Sequence, residues 1–199
     1  VNKILEKNAS EPIAETRLGF TIVLHLFLLI AASAVPEGRF FFWFPINLVV
    51  EALIIFRVIT MWNRYKHDTK RYYSIQLYWM LIGFSIFTTM PFVRMSYGTV
   101  IFWPLFIGTL LLFVLGHLVK KRIGEVFVNP RKIKQLVMWP TALAGIVLLG
   151  IAIMVILRFQ SVDENVGLVV FAYMLGGFAV FIATPFTLTE EQFEELKGN

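Results

Sequence analysis

Apolar residues in this chain fall in long runs, and the polar residues collect in the gaps between them. Six runs approach the roughly 20 residues that cross ~30 Å of hydrocarbon at ~1.5 Å per residue: 18–35, 40–62, 73–93, 99–119, 136–157 and 166–186. Strict alternation, the mark of a strand, is not the pattern. The runs predict an all-α polytopic membrane protein, a bundle of six transmembrane helices arranged as three hairpins. The longest gap, 120–135, is too short to bury a core of its own. The chain therefore reads as a single integral membrane domain over 1–199, with an N-terminal segment 1–17, the bundle at 18–186 and an acidic tail at 187–199.

Composition agrees with this reading. Of the 199 residues 58% are apolar and 16% charged, where a soluble domain has about a quarter charged, so a water-soluble enzyme is excluded. There is no cysteine, which removes disulfides, thiolate ligands and cysteine nucleophiles together. A net charge of +5 would elsewhere suggest nucleic acid, but here the cations sit between apolar runs, and the expected partner is the lipid bilayer.

Their distribution sets an orientation. Lys3, Lys7 and Arg17 precede the first run, Arg64, Lys66, Lys70 and Arg71 fill the second connection, and Lys120, Lys121, Arg122, Arg131, Lys132 and Lys134 fill the fourth. The other three connections hold one cation each: Arg39, Arg94 and Arg158. By the positive-inside rule both termini and the two basic connections are expected on the cytoplasmic face of a cytoplasmic (inner) membrane. A secretory signal over the first run is rejected, because its flank also carries Glu6, Glu11 and Glu15 and its apolar stretch is too long. Trp43, Trp62, Trp103 and Trp139 fall at run ends, as headgroup-level aromatics do. Phe41-Phe42-Trp43-Phe44-Pro45 and Ile101-Phe102-Trp103-Pro104 look alike, but the hairpins around them do not align, and interfacial recurrence accounts for the likeness.

An ionisable side chain deep in a bilayer costs roughly 2.5–3.5 kcal/mol, so each needs a reason. Two qualify: His25, seven residues or roughly 10 Å into the first run, and Glu51, eleven residues or roughly 16 Å from the same boundary. A short turn joins the two runs, so they are expected to be neighbours, in contact directly or through water. Asn47 lies one helical turn from Glu51 on the same face. Three readings follow: a proton or cation site, an interhelical hydrogen bond that fixes the first hairpin, or a neutral Glu51 bonded to a carbonyl freed near Pro45.

Ser85, Thr88 and Thr89 share a face of the third run and are candidates for a polar path toward Glu51. Arg57 is expected to snorkel, and Arg94 to anchor the outer interface. A bis-histidine haem on His25 and His117 is set aside because their depths differ, no metal-ligand cluster shares one helix, and no cofactor is expected. The chain also lacks a nucleophile elbow, a zincin motif, a phosphate loop and a dinucleotide fingerprint, so the reading leans away from an enzyme.

Gly176 and Gly177 form a small-residue face with Ala172, Ala179 and Ala183, and Gly145 and Gly150 do the same in the fifth run. Such faces suit close packing within the chain, in a homo-oligomer or against a membrane-complex partner. The cations of the fourth connection, interleaved with Ile123, Val126, Phe127 and Val128, suit anionic lipid headgroups or a soluble partner. The tail opens with Thr189 and Gln192 at the spacing of a reciprocal helix cap. The function expected is a permease or transporter component with a proton or cation site at Glu51 and His25. The alternative is a non-catalytic accessory or assembly subunit of a larger membrane complex.

Overall fold

The computed structural model describes residues 18–129 and 166–198. The expected fifth span at 136–157, with Gly145 and Gly150, the segment 1–17, and Arg131, Lys132 and Lys134 lie outside the described residues. Within them every element is helical: α1 Leu18–Ala34, α2 Phe40–Tyr65, α3 Thr69–Met95, α4 Phe102–Val128, α5 Val166–Ala183, a 3-10 turn Thr184–Thr187, and α6 Glu190–Gly198. Four stretches are long and apolar enough to cross a membrane: α2, α3, α4 and Gly167–Thr187. The chain has the helical fold of a membrane protein.

Two of the turns between helices depend on glycine. Gly38 and Gly98 hold φ of 78° and 81°, a left-handed conformation that costs a residue without Cβ nothing. These turns, between α1 and α2 and between α3 and α4, share what we call the turn end. At the opposite, basic end only residues 66–68 separate α2 from α3. There the Asp68 carboxylate caps α3 by accepting from the Arg71 backbone N–H at 3.0 Å.

α4 departs from the expected boundary. The run ends at 119, but the helix continues through Lys120, Lys121 and Arg122 to Val128. Lys, Arg and Glu are good helix formers, and the stop comes at Asn129, where the following proline disfavours a helical residue before it.

α3 is the central helix, with α1 and α2 on one flank and α5 on the other. Its buried positions include Gln76, Gly83, Ser85, Thr88 and Thr89, while Phe20, Phe27, Phe41 and Leu118 stand exposed on outer helices. Large apolar groups outside and small or polar ones inside are what lipid permits, since close approach and hydrogen bonding hold membrane helices together where water supplies no drive. Gly176 on α5 is the tightest point. A Cβ there would collide with Thr88 Oγ1 and lie 2.8 Å from Thr89 Cγ2 and 3.1 Å from the Ser85 carbonyl. Gly116 on α4 meets α5 in the same manner: a Cβ there would lie 2.8 Å from Val180 Cγ1.

At the basic end the chain after α5 is tied to α3. Arg71 donates from Nη1 to the Leu188 carbonyl and from Nη2 to the Thr187 carbonyl at 3.2 Å, and Ser74 Oγ donates to the Phe186 carbonyl at 2.8 Å. Leu188 and Leu196 bury themselves at Gly124 of α4, where a Cβ would lie 2.7 Å and 3.2 Å from them. The reciprocal cap forms: Gln192 Oε1 accepts from the Thr189 N–H at 3.1 Å, and Thr189 Oγ1 from the Gln192 N–H at 3.3 Å.

Replacing Gly176 by Leu is expected to lower thermal stability in detergent by about 1–3 kcal/mol, the cost of forcing atoms into a filled contact. Gly167→Leu, where an added Cβ meets nothing within 4 Å, is expected to leave the melting midpoint in place. Paired thermal scans of the two variants check this.

Candidate functional site

Polar groups of α1, α2 and α3 meet at one imidazole. His25 is fully buried and Glu51 nearly so. His25 Nδ1 lies 2.9 Å from Glu51 Oε2, and His25 Nε2 lies 2.9 Å from the Met80 carbonyl oxygen. The ring lies against Gly83, where a Cβ would collide with its Cε1, and its other neighbour is Phe87, edge to face at 6.0 Å. Glycine in the middle of α3 is what lets the imidazole reach a main-chain carbonyl.

These partners fix the protons. A carbonyl only accepts, so Nε2 carries a hydrogen and donates it to Met80. The line between Nδ1 and Oε2 then holds one proton, either on nitrogen, as an imidazolium beside a carboxylate, or on oxygen, as a neutral imidazole beside a carboxylic acid. Both forms are neutral as a pair, which suits a low-dielectric core. The other carboxyl oxygen, Glu51 Oε1, is buried and has no hydrogen-bond partner among the described residues. Direct contact, one of the alternatives the sequence leaves open, is the arrangement found, and Glu51 bonds no carbonyl near Pro45.

Asn47 is buried one turn from Glu51 but serves a different partner. Its Nδ2 donates to Ser33 Oγ at 2.8 Å, and Ser33 Oγ donates to the Leu29 carbonyl at 2.6 Å. Ser85, Thr88 and Thr89 share one face, yet that face meets α5 at Gly176. Thr88 and Thr89 donate to carbonyls of their own helix, Thr88 to Phe84 at 2.8 Å and Thr89 to Ser85 at 2.7 Å. The structure does not bring these hydroxyls to Glu51.

Several residues carry more structure than the sequence announced. Arg94 donates to the Ala32 carbonyl at 3.0 Å and to the Met90 carbonyl at 3.2 Å, and its guanidinium lies 4.5 Å from the centre of the Trp43 ring. It thus ties α3 to the turn ends of α1 and α2, while Arg57 is exposed. Tyr78 OH lies 3.0 Å from His117 Nε2, whose Nδ1 donates to the Phe113 carbonyl at 2.8 Å. His25 and His117 therefore each commit both ring nitrogens to protein partners. Of the basic cluster, Lys120 donates to Thr187 Oγ1 at 3.4 Å, Lys121 pairs with Glu195 at 3.7 Å, and Arg122 is exposed. An exposed pair of this kind contributes little. A surface cleft of about 570 Å³ between the start of α3 and α6 carries charges of both signs, among them Lys70, Arg71, Glu190 and Glu191.

Met80 and Gly83 touch His25 and were not singled out in the sequence, and neither were Gln76 and Thr21, each one helical turn away on α3 and α1. A main-chain acceptor leaves no residue-type signal. A lone mid-helix glycine seven residues after Gln76 was the one available clue. No family model, curated protein or solved structure matches the chain.

Replacing either member of the pair alone, His25→Leu or Glu51→Leu, is expected to cost about 3–5 kcal/mol, because the survivor stays buried without its partner. The double variant is expected to cost less than the sum by about 0.5–3 kcal/mol, read from chemical denaturation in mixed micelles as a double-mutant cycle. Gly83→Ala is expected to destabilise without removing any polar group, through displacement of the imidazole from the Met80 carbonyl.

Proposed function

We propose that this chain is a small permease-type component of a cytoplasmic (inner) membrane, in which the His25–Glu51 pair takes up and releases a proton. In this reading the bundle has six spans in three hairpins, with both termini and the basic connections on the cytoplasmic side. The observation that carries it is the free oxygen of Glu51. Oε2 is occupied by His25, while Oε1 is buried and unpaired among the described residues.

A first proton already lies between Nδ1 and Oε2. A second would settle on Oε1, leaving an imidazolium that donates to the Oε2 of a neutral acid. The pair would then pass from net neutral to net positive within an apolar core. A charge there is costly, so the loaded pair favours any arrangement of α1–α3 that solvates it better, and differential stabilisation of two arrangements is what couples a bound proton to movement. A proton suits the site better than a metal ion, because one free carboxylate oxygen falls well short of the roughly six oxygens that hard cations gather.

A second reading, the accessory subunit, draws support from Ser85, Thr88 and Thr89. Thr88 and Thr89 are satisfied within α3, and the shared face packs on Gly176, as a purely architectural polar face would be.

Infrared difference titration in nanodiscs separates the two. With a working proton site, a carboxyl band that is absent in Glu51→Gln changes intensity as the pH is varied, and shifts in Gly83→Ala. A Glu51 signal constant at every pH at which the protein stays folded, with Glu51→Gln equally well folded, would sink the proton-site reading and leave the accessory subunit.

A further inference from the structure

We propose that the His25–Glu51 site exchanges its proton with the basic end of the bundle alone, past Thr21 and Gln76, and is sealed toward the turn end. The inference rests on the proton-site reading above and adds a side and a route. It starts from the face of α3 formed by Gln76, Met80, Gly83 and Phe87, spaced four, three and four residues apart. The last three all meet His25: the Met80 carbonyl by hydrogen bond, Gly83 by contact, and Phe87 by its ring. Gln76 continues that face one turn, or about 6 Å, toward the basic end. It is 4% exposed, and its Oε1 is buried with no partner among the described residues. Thr21, also 4% exposed, lies one turn from His25 on α1 in the same direction.

Gln76 Oε1 and Glu51 Oε1 are therefore two buried acceptors without a hydrogen-bond partner among the described residues. Two acceptors cannot satisfy each other. Both match a small donor, and water or hydronium is the small donor that also carries protons. The layer beyond Gln76 consists of Leu18, Val58 and Tyr72, edged by Trp62, Tyr65 and Tyr73 among others, so most of its rings bear an N–H or O–H group.

In the other direction the buried atoms without a hydrogen-bond partner among the described residues are Trp43 Nε1 and Arg94 Nη1, which are donors that accept no proton, and Arg94 adds a fixed cation. Asn47, Ser33 and the Leu29 carbonyl form a closed donor chain. Beside it Leu29, Ala32 and Phe87 are packed with the apolar Leu28, Phe44 and Val50. Among the described residues the other titratable groups facing this core are Tyr72, Tyr65 and Tyr73 toward the basic end and Arg94 at the turn end, and the hydrogen bonds of the pair run to each other and to Met80.

The absence of cysteine makes the route directly mappable. Thr21→Cys, Gln76→Cys, Leu29→Cys and Ser33→Cys are placed singly in the full chain, reconstituted in sealed vesicles and sorted for orientation by protease access to α6. A charged, impermeant thiol reagent applied to the basic face is expected to modify positions 21 and 76 at least about tenfold faster than positions 29 and 33, since protection follows local opening. From the turn face none of the four is expected to react. Native protein supplies an arm that needs no variant: a pH jump at the basic face moves the Glu51 infrared band, and the same jump at the turn face does not.

Inert thiols at 21 and 76, labelling of 29 or 33 from the turn face, or a band that answers a jump from the turn face would each overturn the one-sided route while the band still titrates. A native band indifferent to pH overturns the proton-site reading itself and the route with it.

Discussion

One imidazole sets the distances among three helices. The two ring nitrogens of His25 point in different directions, one to a side chain of α2 and the other to the main chain of α3. Both ring nitrogens lie buried, where an unmade hydrogen bond costs several kcal/mol. The ring is rigid, so satisfying one nitrogen places the other. α1, α2 and α3 are thereby held at a spacing that admits a ring but no methyl group at Gly83. Because α3 is also the helix on which α5 packs, the placement of the imidazole governs the second half of the described bundle as well.

The two flanks of α3 solve the problem of polar groups in lipid in different ways. Toward α5, threonine hydroxyls return to carbonyls of their own turn, and a glycine on the partner lets the backbones approach. Further along, Tyr173 and Thr109 join α5 to α4 by a hydroxyl pair at 3.1 Å. Toward α1 and α2, by contrast, the polar groups reach across to other helices. On the α5 side Ser85 Oγ is the exception, buried without a hydrogen-bond partner among the described residues.

Much of this was legible in the residues. Length and apolarity mark the helices, and the short turn between the first two runs makes His25 and Glu51 neighbours. What the sequence withheld is which neighbour each face meets. Ser85, Thr88 and Thr89 do share a face, as their spacing requires, but periodicity assigns no partner to a face, and small Gly176 was the better guide to where they pack. Asn47 sits on the face of Glu51, yet Ser33 at the same level of α1 is the nearer acceptor. Arg71 and Arg94 were counted for orientation and anchorage, although both spend their donors on main-chain carbonyls of distant segments. A carbonyl is common to every residue, so such bonds are invisible in a string of letters. The end of α4 was misplaced for a related reason: charge marks where a span leaves the hydrocarbon, but the helix itself stops only at Asn129.

The bond from Arg71 to the carbonyls of Thr187 and Leu188 joins positions 116 and 117 residues apart. A ribosome releases Arg71 long before those carbonyls exist. Until then a guanidinium at the start of α3 must be served by water or headgroups, and the central helix has no clasp at that end. The contact at Gly176 needs only α5 itself, but the bonds at the basic end need residues 186–188. A chain interrupted before that point would keep the residues of the imidazole junction and lack its clasp.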